Sequence, residues 1–136
     1  MRRYLVDSTA LRRLPRDPAL AEAWAHETDE GSLGSCHPQR TEFRRSARNL
    51  DQYDAMTDTF GHLYPDVPVP KGAWPWVEAA QYRLARRGRD QSLSMVDRLV
   101  CATAAHHGLV VLHDDKDFAA AAGTDLAERS LYDVPV

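Results

Sequence analysis

Six acidic residues stand where the strands and helices of this chain are expected to end or begin. Asp7 follows the apolar run Tyr4-Leu5-Val6. Asp114 and Asp115 follow the run Leu109 to Leu112 after a single histidine, His113, and Asp117 lies two residues further on. Asp97 falls in the first turn of the helical stretch Ser94 to His107, among Met95, Leu99, Val100 and Ala102. Glu42 opens another helix beside Phe43. A carboxylate held near a protein interior is costly unless it is paired or bound to a cation. Several of them drawn together repel one another, and a divalent cation removes that repulsion. Oxygen donors without histidine or thiolate suit Mg²⁺ or Mn²⁺ better than zinc. Each acid alone is more readily read as structural, for instance as a helix N-cap. Only their joint placement points to a site.

That placement depends on the elements. Tyr4 to Val6 reads as a strand closed by the capping residues Asp7-Ser8-Thr9, with a helix over Ala10 to Leu14 ended by Pro15. Asp17-Pro18 starts a second helix, which is expected to run through Trp24 towards Gly31. Ser32 to Cys36 is a weak strand. Helices follow around Thr41 to Arg48, over Leu50 to Leu63, over Trp74 to Arg87 and over Ser94 to His107. The proline-rich Tyr64 to Pro70 is a connection with at most an edge strand. Leu109 to Leu112 is a buried strand, Asp117 to Ala122 a short helix, and Ser130 to Val134 a last strand. Strands alternating with helices, without hairpin signals, predict an α/β domain over residues 1–136: a central parallel sheet of four to five strands flanked by helices. Open parallel sheets bind ligands beyond the carboxyl ends of their strands, where Asp7 and Asp115 would lie.

Composition sets the outer bounds. Hydrophobic residues make up 43% and charged residues 27% of 136 residues, a globular balance that fits one domain. No apolar run is long enough to span a membrane, and the N-terminal apolar run is too short for a signal peptide, so a cytoplasmic protein is expected. Cys36 and Cys101 are then reduced and buried. The net charge of −3 argues against a nucleic-acid partner until its distribution is considered. All of the 17 basic residues except Lys71 and Lys116 are arginines, whose planar fork suits phosphate. Arg12, Arg13 and Arg16 follow the first strand, and Arg40, Arg44, Arg45 and Arg48 surround Glu42. All are candidate phosphate contacts, though also ordinary solvated helix residues. In Trp74-Pro75-Trp76 the proline fits a helix start. One tryptophan is expected in the core and the other in an interface.

The ordered series resembles the PIN-domain family, and within it the VapC-type toxins. Tyr4-Leu5-Val6-Asp7-Ser8-Thr9-Ala10-Leu11 looks like the family's opening strand, acid, hydroxyl residue and helix. Thr41-Glu42-Phe43 looks like its helix-borne glutamate. Ser94-Met95-Val96-Asp97, with Ala102-Thr103-Ala104 and His107-Gly108-Leu109 behind it, looks like the third motif. Val111-Leu112-His113-Asp114-Asp115-Lys116-Asp117-Phe118 looks like the closing strand and Asp-Phe. The resemblance spans nearly the whole chain. It implies a Mg²⁺- or Mn²⁺-dependent endoribonuclease, the toxin of a type II toxin–antitoxin pair, that leaves 5′-phosphate and 3′-hydroxyl ends. It implies Asp7, Glu42, Asp97 and Asp115 as catalytic acids, with Asp7, Asp97 and Asp115 on the metal. Thr9 and Asp117 would support them, and Arg12, Arg13, Arg44 and Arg45 would contact RNA. A homodimer and a cognate antitoxin protein are the partners it implies. Against this stand a non-catalytic PIN-like module that binds RNA or protein, a DNA-directed nuclease, and a phosphoacceptor receiver domain. The receiver lacks support, because Asp7 is followed by Ser8 and not by a second acid.

Overall fold

The computed structural model describes residues 3–89, 93–116, 118 and 126–135. Strand β1 (Tyr4–Val6) leads into helix α1 (Ser8–Arg13). Helices α2 (Pro18–Ala23) and α3 (Ala25–Asp29) carry the chain to β2 (Leu33–Gly34). Helices α4 (His37–Arg44), α5 (Leu50–Leu63), α6 (Ala73–Arg86) and α7 (Met95–His107) follow, then β3 (Val110–His113) and β4 (Glu128–Ser130). The strands form one parallel sheet in the order β2-β1-β3-β4. The predicted α/β architecture is therefore present, with four strands among the described residues.

Side chains alternate across the sheet. Tyr4, Val6 and Leu112 pack with Ala10, Leu11, Leu14, Leu20, Trp24 and Phe60 on one face. Leu5 and Val111 pack with Val100, Cys101, Ala104 and Phe118 on the other. Burial on both faces explains why β1 and β3 read as unbroken apolar runs. Gly108 ends α7 at φ +67°, and the Leu109 N–H returns to the Ala104 carbonyl at 2.9 Å. This reversal at a residue without Cβ feeds the chain directly into β3. No helix among the described residues is long and apolar enough to cross a membrane.

The structure corrects four expectations. The second helix breaks at Trp24 into α2 and α3. The indole there is fully buried, donates to the Leu131 carbonyl at 2.9 Å and meets the Tyr4 ring edge-on at 5.3 Å. Helix α4 begins at His37 and stops at Arg44, upstream of the stretch expected. Buried Gln39 accepts from the Cys36 N–H at 3.1 Å and so starts the helix without an ordinary capping residue. The last strand lies at Glu128–Ser130, with a turn after it, and not at Ser130 to Val134. Its polar sequence is that of a half-buried edge strand, where pairing with β3 outweighs propensity. Finally, Arg40 is not a surface cation. It is 6% exposed, pairs with Asp66 at 2.6 Å and donates to Ser35 Oγ at 2.7 Å. It thereby fastens the proline-rich connection, whose Asp66 bridges Ser35 at the sheet edge. The helix expected over Asp117 to Ala122 falls largely outside the described residues.

Trp24 supplies both apolar bulk and a hydrogen bond, and the two are separable. Trp24→Phe should cost about 1–3 kcal/mol by leaving the Leu131 carbonyl unpaired. Trp24→Ala should cost about 3–5 kcal/mol. Urea denaturation of both variants checks the order.

Candidate active site

Parallel pairing of β1 with β3 aligns Val6 with Leu112, so the residues that follow each strand emerge side by side. Asp7 leaves β1 with its N–H bonded to the Leu112 carbonyl at 3.0 Å. Its carboxylate caps α1, with Oδ1 accepting from the Ala10 N–H at 2.8 Å, and the residue has no exposed surface. The Thr9 hydroxyl lies 2.7 and 2.9 Å from the two Asp7 oxygens. Its oxygen in turn accepts from the Asp114 N–H at 2.8 Å. Thr9 thus ties the acid after β1 to the loop after β3.

Asp97 approaches from α7, which packs against β1, β3 and α4. Ser94 caps that helix by accepting from the Asp97 N–H at 3.1 Å. Burial lifts the Asp97 carboxyl above the ordinary range, Ser94 hydrogen bonds oppose this, and the charges of Glu42 and Asp115 raise it further. Asp7 is raised to about 6, chiefly by burial, with hydrogen bonds from Ala10 and Thr9 opposing, Asp97 adding to the rise and His113 opposing it. One turn below Asp97, the buried Cys101 thiol is pushed up by burial and by the charges of Asp97 and Asp7. Asp97 thus lies within reach of the charges of Glu42 and Asp115, and Asp7 within reach of that of Asp97. The donors are oxygen, anionic and mutually repelling, which is the chemistry that fits a hard divalent cation. Among the described residues, no three acid, histidine or cysteine side chains are gathered tightly enough to enclose an ion by themselves. Like charges close together in a buried setting are expected to stand apart.

The arginines divide. Arg12, Arg13 and Arg16 line a cleft of about 330 Å³ with Thr9 and Asp114, on the flank of Asp7. Asp114 pairs with Arg13 at 3.3 Å. Arg45 lines a wider cleft with Glu42, Thr41, Trp74 and Val96. Arg44 faces α5, donating to Thr57 Oγ1 at 3.0 Å, with its guanidinium over the Tyr53 and Phe60 rings. Trp76 packs against a small core cluster, whereas Trp74 is exposed. Asp117 lies outside the described residues. His113, for which a strand-end filler and a site role are equally open from the sequence, is buried at the site and contacts Glu128 and Asp115. Its position between an apolar strand and two aspartates was the available signal.

The raised Asp7 carboxyl makes a signed prediction for the metal-free protein. Below about pH 4 folded and unfolded chains both hold the proton. As pH rises through about 6, the folded chain must bury a charge that the unfolded chain solvates, and stability is lost. Asp7→Asn keeps an oxygen for the Ala10 N–H. In EDTA it should be more stable than the parent by about 1–3 kcal/mol at pH 8 and no more stable at pH 4. Denaturation at the two pH values tests this, and equal stability at pH 8 would count against it.

The chain is similar to known proteins. Residues 4–124 match the model of the PIN domain. The chain is 57% identical over 105 residues to Ribonuclease VapC6 of Mycobacterium tuberculosis, covering 77% of this chain and 78% of that one. It is 29% identical over 116 residues to Ribonuclease VapC21 of the same organism, covering 85% and 83%. In structure it resembles DNA-bound VapBC from Salmonella typhimurium, with a TM-score of 0.80 at 14% identity over 96% of this chain and 99% of that one. The chain belongs to the PIN-domain family.

Proposed function

We propose that this protein is a metal-dependent endoribonuclease, the toxin of a VapBC-type toxin–antitoxin pair, and that Asp7, Glu42, Asp97 and Asp115 form its catalytic acids. The observation that carries the assignment of residues is the parallel pairing of β1 with β3, which sets Asp7 and Asp115 beyond adjacent strand ends, with α7, the helix of Asp97, packed on both strands and on α4, the helix of Glu42. Similarity to a ribonuclease at 57% identity supports the activity. Asp7, Asp97 and Asp115 would hold Mg²⁺ or Mn²⁺, with Glu42 beside them. When bound, such an ion neutralises charge at the scissile phosphate and acidifies water at neutral pH.

The chain's own residues do the rest. Thr9 and the Ala10 N–H hold the Asp7 carboxylate in one orientation. Burial of Asp7 keeps bulk water away from that side of the site. Arg12, Arg13 and Arg16 line a concave cationic wall next to Thr9, suited to a backbone phosphate of the RNA, and Arg45 offers a second cation by Glu42. Arg44, also predicted to contact RNA, is engaged with α5, so we assign it to the scaffold. A carboxylate at the site takes a proton from the attacking water as its oxygen bonds to phosphorus, the P–O3′ bond breaks, and the leaving 3′ oxygen takes up a proton from solvent, so the products carry 5′-phosphate and 3′-hydroxyl ends.

The protein acts in the cytoplasm as a homodimer restrained by a cognate antitoxin. Solved relatives are VapBC complexes, which supports an antitoxin partner. An apolar groove of about 310 Å³ between α1, α4 and α5, lined by Leu11, Pro15, Phe43, Met56, Phe60 and Tyr64, offers an apolar antitoxin segment a seat. Exposed Trp74 offers apolar surface to a second copy.

Purified, antitoxin-free protein should cut a mixed RNA pool with Mg²⁺ or Mn²⁺ and not with EDTA. Asp97→Asn should lower the rate by about 100-fold or more. Retained cleavage by Asp97→Asn would sink the site assignment. Metal uptake seen by calorimetry without cleavage would instead favour a binding module. Replacing Arg12 and Arg13 together with serine should weaken RNA binding and flatten its salt dependence by about 0.7 in log–log slope for each phosphate that is no longer neutralised. Fluorescence anisotropy over a salt series reads that slope.

A further inference from the structure

His113 is the last residue of β3 and is 3% exposed. Its ring stacks on Phe118, with centroids 5.3 Å apart and planes 13° from parallel. Both ring nitrogens are occupied. Nδ1 accepts from the Asp115 N–H at 3.2 Å, and Nε2 meets the Glu128 carboxylate reaching across from β4. A backbone N–H can only donate, so Nδ1 must present a lone pair. The ring proton therefore sits on Nε2, where Glu128 receives it. Glu128 fixes the tautomer, and the tautomer supplies the acceptor that the Asp115 amide requires.

The consequence falls on the loop that carries the acid. Its first two amides are held by side chains. The Asp114 N–H goes to Thr9, which also holds Asp7, and the Asp115 N–H goes to His113. Neither amide is held by the strand ladder, which ends at His113. Without the imidazole, the Asp115 amide would lose the acceptor that orients it. An aliphatic side chain of similar bulk would fill the space under Phe118 but leave that amide unheld.

Given the nuclease reading above, we propose that His113 is a positioning residue for Asp115, locked in its Nε2–H tautomer by Glu128 and acting through the Asp115 backbone amide. Outer partners of this kind typically alter affinity or activity by about 10–100-fold when removed. The contrast between two variants isolates the contact. Asparagine places an amide oxygen near the position of Nδ1, whereas leucine fills the volume without an acceptor.

The first arm of the test is spectroscopic and needs neither metal nor RNA. Nitrogen-15 spectra of metal-free protein should show a bare Nδ1 and a protonated Nε2 on His113. The Asp115 amide should exchange slowly in the parent and in His113→Asn, and faster in His113→Leu. Glu128→Ala should release the ring to a mixture of tautomers. The second arm is cleavage, with Asp97→Asn as the inactive control. His113→Leu should lower kcat about 10-fold or more with KM for RNA within about 2-fold, and His113→Asn should recover most of the loss. A proton on Nδ1, or equal Asp115 exchange and equal kcat in parent and His113→Leu, would overturn the proposal. If leucine unfolds the domain, the folded Asn and Glu128→Ala proteins decide it by the same spectra. Parent protein that cuts no RNA with a divalent metal removes the nuclease reading, and the positioning role with it. Normal parent cleavage together with an unaffected leucine variant removes the positioning role alone.

Discussion

The structure turns on a carboxylate with no exposed surface at the end of its central strand. Burial alone would expel the charge on Asp7, and the arrangement around it resists that with the Ala10 amide and the Thr9 hydroxyl. Those two donors lower its pKa, yet it still stands near 6 because burial outweighs them. A protein optimised only for stability would place an amide or an apolar residue there. Asp97, half-buried and raised by Glu42 and Asp115, repeats the conflict from the facing helix. The fold carries the cost of these charges, and it is the kind of cost that a hard divalent cation would offset.

What brings the acids together is sheet order, and sheet order is the part of the design that local patterns specify least. The apolar runs before Asp7 and Asp114 marked β1 and β3 as buried strands, because residues on both faces are covered. Their adjacency in register follows from right-handed crossovers that only the assembled fold displays. The helix over Ser94 to His107 was legible, and in the structure Ser94 as its cap and left-handed Gly108 bound the helix that carries Asp97. Glu42 was legible as an acid beside an apolar residue. Its charge acts on Asp97 because α4 packs against α7.

The misreadings share one physical cause: long-range partners that outvote local propensity. Glu128-Arg129-Ser130 has no strand signature, and it is a strand because β3 offers it an edge. The α2–α3 break follows the Trp24 indole into the core, towards a carbonyl more than a hundred residues away. Arg40 looked like its neighbours Arg44 and Arg45 in sequence, but three nearby helix positions face three environments. Arg40 is itself buried and pairs with exposed Asp66, Arg44 faces the rings of α5, and Arg45 an open cleft. The place of His113 is marked locally but its partner is not, since Glu128 approaches from a strand fifteen residues on.

The sorting of arginines also resolves the tension between a net negative chain and a polyanionic substrate. A uniform negative surface would repel RNA at the distance where encounter begins. Here the negative charge that matters is recessed, with Asp7 buried and Asp97 half-buried, where a cation can neutralise it. The positive charge that matters lies outside it, on α1 and at Arg45, lining clefts that open to solvent. Asp114 then acquires a meaning that its sequence position hides. By pairing with Arg13 and donating its amide to Thr9, it joins the cationic wall to the hydroxyl that holds Asp7. A phosphate drawn to the arginines would therefore be held within the same hydrogen-bonded frame that fixes the first acid.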